Sequence, residues 1–188
     1  MDPISQRAHN NGLQEGTATT QFTALDGLVR LDSFTAALPS GHYPYIRLLT
    51  ASGRDGAVVI PFHNDQVLFI RHPRPIPGVH LWEFPRGMGD PEDLSLEDTA
   101  IRELKEETGL SAHQLEFLGF IYPDSGILAN RVGVYIAYIS PEGEILDPDE
   151  ASESAWVSVD RAISELGGDG FDGMTLAALS LLTQAKPR

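Results

Sequence analysis

The chain has 188 residues, 41% hydrophobic and 21% charged, with no cysteine, so it is of one-domain size and can form neither disulfides nor thiolate metal sites. Thirteen Lys and Arg against 27 Asp and Glu give a formal charge of −14, which excludes the basic footprint that a nucleic-acid-binding protein needs. No run of about 18 apolar residues is present to span a membrane, and a cytoplasmic protein with neither nucleic-acid nor membrane partners is expected.

Residues 1–20, MDPISQRAHNNGLQEGTATT, lack an apolar signal core and are read as a tail. From Phe22 to Thr50, polar and β-branched residues punctuated by LDG, LPSG and YPYI predict two or three short strands, a small β subdomain over 21–52. Gly56–Phe62 and Gln66–His72 flank HND as a hairpin, and His80–Gly87 (HLWEFPRG) is expected as a third strand ending at Pro85. After the loop GMGDPEDL comes a helix capped by Ser95, with Asp98 three residues on, and stopped by Gly109. LEFLGFIYP and RVGVYIAYIS alternate as strands around the loop DSGILAN. An acidic loop, PEGEILDPDEASES, leads to the short strand AWVSV, then to helices near Asp160–Leu166 and Asp172–Gln184. This order predicts an α/β protein of the α+β type, a mixed sheet with helices on its faces.

The end of the first long helix, RELKEETGL (Arg102–Leu110), sets a charge problem. The carbonyl end of a helix favours cations, yet Glu103, Glu106 and Glu107 stand there at i, i+3 and i+4, where like charges repel by a few tenths of a kcal/mol per pair. On a helical wheel Leu96, Ala100, Ile101, Leu104 and Thr108 form the apolar stripe, and Glu103 and Glu107 fall beside or inside it. A solvated acidic face with an Arg102–Glu106 pair is the plain alternative, but inward carboxylates need a paired cation or a metal. Oxygen donors of this kind suit a hard divalent ion, Mg²⁺ or Mn²⁺.

RELKEETGL resembles the second half of the Nudix signature, G-x5-E-x7-R-E-U-x-E-E-x-G-U with U apolar, at every fixed position. The first half departs: without a gap, Met88 replaces the Gly and Leu94 the first Glu. With a loop one residue longer, Gly87 takes the Gly position and Glu92 is the expected first acid. LWEFPRG and YPDSGILANRV, with Pro123, are similar to segments of the ADP-ribose pyrophosphatase-like subgroup, as is the tail DGMTLAALSLL. The resemblance implies a Nudix fold, a mixed sheet sandwiched between helices, with a catalytic domain over 53–188.

It also implies Mg²⁺- or Mn²⁺-dependent hydrolysis of a nucleoside diphosphate linked to another moiety, foremost ADP-ribose to AMP and ribose 5-phosphate. Other nucleotide sugars, dinucleoside polyphosphates or nucleotide cofactors are the alternative substrates, and a non-catalytic nucleotide-sugar sensor is the alternative class. In the family the box glutamates hold the metals. That carries over to Glu103, Glu106 and Glu107, with Gly87 offering a loop carbonyl and Arg102 orienting a glutamate. The general base is expected from the acidic loop, Glu150 first and Glu153 second, with Asp147 and Asp149 also there. Arg71 and Arg86 are candidates for substrate phosphate, and Glu83 for shaping the nucleotide pocket. Arg131 stands next to the place where relatives carry an acid. His72 and His80 are read as loop residues and Trp82 as core or dimer contact. Tyr43, Tyr45 and Arg47 are set to serve the base across a homodimer.

Overall fold

The computed structural model describes residues 16–140, 153–164 and 170–185. Three antiparallel strands, β1 (Thr19–Ala24), β2 (Val29–Leu38) and β3 (Gly41–Leu49), form one sheet in the order β1-β2-β3. The second sheet is built on β4 (Gly56–His63) and β5 (Gln66–Arg74), joined by a turn in which Asn64 and Asp65 both take positive φ, 48° and 59°. That is the twist-matched two-residue hairpin geometry, which Asn and Asp tolerate.

The hairpin closes over only two register pairs, Phe62 with Val67 and His63 with Gln66. Beyond them β4 and β5 part, and the following chain fills the gap. β6 (Val79–Glu83) pairs with β5, and β7 (Arg86–Met88) pairs with β4. The strand expected to end at Pro85 ends at Glu83, and a further short strand follows the proline. Pro85 has no N–H to continue a ladder, and the main chain changes partners there. The Pro85 carbonyl accepts from Val59 N at 2.8 Å, and Phe84 N donates to Thr175 Oγ1 at 3.3 Å.

Helix α1 (Leu96–Thr108) follows, then β8 (Ala112–Ile121), β9 (Val132–Ile139), β10 (Glu153–Ser158), α2 (Val159–Ser164) and α3 (Gly173–Ala185). The path through the larger sheet is β10-β5-β4-β9-β8, with β4 and β9 parallel and the other pairs antiparallel. A strand buried on both faces reads as a continuous apolar run, as β4 does. Its Val58, Ile60 and Phe62 join Val134, Ile136, Ala178, Leu179 and Leu182 on the α2/α3 side. Its Ala57 and Val59 join Tyr135, Ala137, Ala100 and Leu104 on the α1 side. The sheet is thus sandwiched between helix layers, as expected. Among the described residues no helix is long and apolar enough to cross a membrane.

Buried Asn130 fastens the two sheets' connecting segment. Its Oδ1 accepts from Thr50 N at 2.9 Å, and its Nδ2 donates to the carbonyls of Thr50 and Arg54.

Candidate active site

α1 starts and stops as its caps dictate. Ser95 Oγ accepts from Asp98 N at 3.1 Å, and Gly109 ends the helix at φ 68° with its N–H on the Lys105 carbonyl. The inward face differs from the apolar stripe read on the wheel: Ile101 is 50% exposed, whereas Thr99, Glu103 and Glu107 are 2%, 8% and 4% exposed. Thr99 thus occupies face that Ile101 was expected to fill, while Glu103 and Glu107 point inward as the wheel placed them.

Gly87 of β7 sits opposite Ala57, on the α1 side of the sheet. The Glu103 carboxylate covers it so closely that a Cβ on Gly87 would lie 2.1 Å from Oε1. Next to it, Arg86 N donates to Glu107 Oε2 at 2.9 Å. The other Glu107 oxygen lies 3.8 Å from His72 Nε2. His72 and His80 stand in β5 and β6 rather than in a loop, since β5 runs on past His72 to Arg74.

Arg102 gathers the acids. Its Nη1 donates to Glu103 Oε1 and Glu106 Oε2, both at 2.8 Å, and its Nη2 to the Met88 carbonyl at 2.8 Å and Asp93 Oδ2 at 3.0 Å. Asp93 also accepts from Thr99 Oγ1 at 2.8 Å. The Arg102 hydrogen bond holds the Asp93 carboxyl at about 2, well below its ordinary 3.8. Reciprocally, Asp93 foremost pushes the Arg102 guanidinium further up. The expected first acid, Glu92, is exposed, and its N–H donates to Asp90 Oδ1 at 2.9 Å. Asp93 takes that place instead. The spacing held the signal: five residues separate Gly87 from Asp93, so the extra residue falls between Asp93 and Arg102.

Behind β7, Glu83 is completely buried between two arginines. Arg74 Nε donates to Glu83 Oε1 at 2.8 Å and Arg86 Nε to Oε2 at 2.8 Å. Glu83 foremost pushes the Arg74 guanidinium above its ordinary value. Arg86 Nη2 lies 2.9 Å from Asp172 Oδ2, so its guanidinium is engaged by carboxylates on two sides. In the sequence Asp172 marks only the start of a helix, and nothing there pairs Arg74 with Glu83.

Beside Gly87 opens a cleft walled by Arg86, Met88, Pro123, Leu128, Arg131 and Met174. Arg131 donates to Asp55 Oδ2 at 2.7 and 3.1 Å, which raises its pKa, and its guanidinium lies 3.9 Å from the centre of the Phe120 ring. Arg71 pairs with its cross-strand neighbour Glu153 at 2.8 Å. Trp82 packs against the α3-side core. Tyr45 stacks on Phe34, Tyr43 reaches Ser40, and Arg47 reaches Asp32 within the three-stranded sheet. Glu150, Asp147 and Asp149 lie outside the described residues.

Glu103, Glu106 and Glu107 offer hard oxygen donors, and Gly87 lies both against Glu103 and in the wall of the neighbouring cleft, so the donor set fits Mg²⁺ or Mn²⁺. Among the described residues no three acidic or His side chains are gathered as a ready ligand cage. The Arg102 guanidinium draws two of them together in its place.

A NUDIX domain family model matches residues 53–178. The chain belongs to the Nudix family. Among Nudix relatives it is similar to the NAD-capped RNA hydrolase NudC of Pseudomonas aeruginosa (strain LESB58), 33% identical over 107 residues, covering 55% of this chain and 35% of that protein. It is also similar to the asymmetrical bis(5'-nucleosyl)-tetraphosphatase of Rattus norvegicus, 32% identical over 90 residues, covering 45% of this chain and 60% of that one. The likeness thus spans about a third of NudC's length. The fold matches a crystal structure described as an ADP compounds hydrolase, with a TM-score of 0.72 and 24% identity, over 92% of this chain and 95% of that one. The Nudix fold expected from RELKEETGL is the fold observed.

Proposed function

We propose that this Nudix protein hydrolyses the diphosphate bridge of a nucleoside diphosphate linked to a second moiety, with ADP-ribose as the substrate. One observation carries the reading: Glu103 and Glu107 are almost fully buried at the carbonyl end of α1, beside a glycine and at the edge of an arginine-lined cleft. Inward carboxylates at that end oppose both each other and the helix dipole, an arrangement that a divalent ion offsets. The names of the similar proteins all refer to nucleotide compounds, and YPDSG supports the ADP-ribose choice.

Glu103, Glu106 and Glu107 would hold Mg²⁺ or Mn²⁺, with the Gly87 carbonyl as a further oxygen. A bound ion supplies charge neutralisation on the phosphoryl oxygens and lowers the pKa of a coordinated water. Arg102 fixes the directions of Glu103 and Glu106 before substrate arrives, and Arg86 N fixes Glu107. Such preorganisation spares the protein reorganisation while charge develops. Arg131 faces the diphosphate from the cleft rim. Arg86 and Arg71 are substrate-facing in this reading only if they loosen their pairs with Glu83, Asp172 and Glu153. Glu150, with Glu153 as second choice, is the proposed general base. We place the catalytic domain over 53–188, with 21–52 as an arm that serves a homodimer.

A cation at Arg131, next to the place where relatives carry an acid, favours a second substrate reading, in which an additional terminal phosphate is bound. Incubation of ADP-ribose with Mg²⁺ should yield AMP and ribose 5-phosphate, resolved by anion-exchange chromatography. Glu107→Gln, which still accepts the Arg86 N–H, should lose about 10²–10³-fold in kcat. Undiminished turnover by that variant would remove the basis of the mechanism. Faster kcat/KM on a dinucleoside polyphosphate would move the assignment to the second reading.

A further inference from the structure

The two helix layers touch opposite faces of the larger sheet, yet one residue is bonded to both. In β7, Arg86 pairs with Val58, whose side chain belongs to the α2/α3 side, so the Arg86 side chain runs that way. Its main-chain N–H points to the other layer and donates to Glu107 Oε2 at 2.9 Å. The passage exists because β4 and β5 part at the hairpin and leave β7 only three residues long. A strand that short, following a proline, has little ladder of its own to fix it.

What fixes it comes from α3. Asp172 divides its carboxylate between two tasks. Oδ1 accepts from Thr175 N at 2.9 Å, which caps α3, and Oδ2 lies 2.9 Å from Arg86 Nη2. Fully buried Glu83 holds the same guanidinium from the other side, with Oε2 at 2.7 Å from Nη2. Thr175, also fully buried, ties the start of α3 to Phe84 N, two residues before Arg86. Charge-assisted bonds to a planar guanidinium set orientation as well as energy.

We propose that Asp172 is a positioning residue: through the Arg86 guanidinium it fixes the main-chain N–H that aims the Glu107 carboxylate, coupling α3 to the acidic face of α1. This rests on the reading of Glu107 as a metal-holding carboxylate. Residues that orient metal-holding groups from behind typically change metal affinity or turnover by about 10–100-fold when altered. Asp172 would do so from the opposite side of the sheet, without touching ion or substrate.

The decisive variant is Asp172→Asn, because Asn caps a helix as well as Asp does but cannot hold the guanidinium by charge. Leu181→Ala, at a half-buried position on the same helix, serves as the control for general loosening. Three quantities are compared: hydrogen exchange at the Arg86 amide without metal, Mn²⁺ affinity by electron paramagnetic resonance, and kcat and KM for ADP-ribose. D172N should melt near the wild-type temperature. Its Arg86 amide should exchange about tenfold faster, its Mn²⁺ affinity and kcat should fall about tenfold, and its KM should stay within about twofold. L181A should lower the melting temperature and leave the Arg86 amide, relative to those of β9, unchanged. Wild-type exchange at Arg86 in D172N overturns the proposal whatever the activity. Faster exchange in D172N with no hydrolysis by the wild type overturns the proposed function instead.

Discussion

Gly87 and Glu103 meet with no room for a methyl group between them. A Cβ built on Gly87 would fall 2.1 Å from one carboxylate oxygen of Glu103 and 2.4 Å from the other. The glycine is required here by the approach of a side chain, not by its backbone angles, since Gly87 is absent from the positive-φ positions. Gly87→Ala must therefore push the carboxylate off the strand. The expected result is a cost of about 1–3 kcal/mol in urea unfolding, together with a loss of Mn²⁺ affinity. Unchanged binding would show that Glu103 does not hold the ion from this position.

Asp93 makes stability depend on pH at the acid end. Its carboxyl is held at about 2 in the folded chain, against an ordinary 3.8, chiefly by Arg102. Its contribution is complete above the ordinary value and disappears as pH falls towards the folded one. Asp93→Asn should thus be less stable than wild type above about pH 4, and the gap should close as the pH is lowered towards 2. Urea midpoints of both proteins across that range are the measurement, and parallel curves would count against the pair.

Arg102 bonds to Glu103, Glu106, Asp93 and the Met88 carbonyl at once. A lysine keeps the charge but has a single nitrogen and cannot span four partners. Arg102→Lys should lose about 10–100-fold in kcat/KM with helix content by circular dichroism unchanged. Retention of wild-type activity would mean that charge alone suffices there.

Asn130 carries an amide that both donates and accepts. Its bonds to Thr50 and Arg54 need both an Oδ1 and an Nδ2, which a carboxylate cannot provide. Asn130→Ala and Asn130→Asp should each cost about 1–3 kcal/mol, the cost of leaving buried polar groups unpaired. Thermal unfolding checks this, and the aspartate variant performing no worse than wild type would contradict it.

Local signals in the sequence were strong where the structure is local. Ser95, Asp98 and Gly109 mark the limits of α1 because capping acts within one turn, and Asn64–Asp65 marks its hairpin for the same reason. The strand expected to end at Pro85 is β6, but β7 after it went unread because the break at Phe84–Pro85 is a change of partner strand, which alternation cannot register. Ile101 is exposed and Thr99 buried because Thr99 Oγ1 donates to Asp93 Oδ2 in the loop before α1, a contact that the wheel cannot register. Asp93 was missed by one position, although it, and not Glu92, stands five intervening residues after Gly87 as the signature requires. Arg86 read as a cation free for phosphate, but Glu83 and Asp172, distant in sequence, engage it. The acidic residues 141–152 lie outside the described residues.

Only two residue pairs join the β4–β5 hairpin before its arms diverge. A sheet that is unzipped in its middle can accept a longer or shorter tongue of chain there without shifting the pairing of β4 with β9, which carries the core. Inserting a glycine into the Pro75–Gly78 turn should accordingly shift Arg74 relative to Glu83 and lower the unfolding midpoint, since Glu83 is fully buried between its two arginines, while β4 and β9 keep their register. The tongue can therefore reshape one wall of the cleft, which Arg86, Gly87 and Met88 form, while the β4–β9 pairing stays in place.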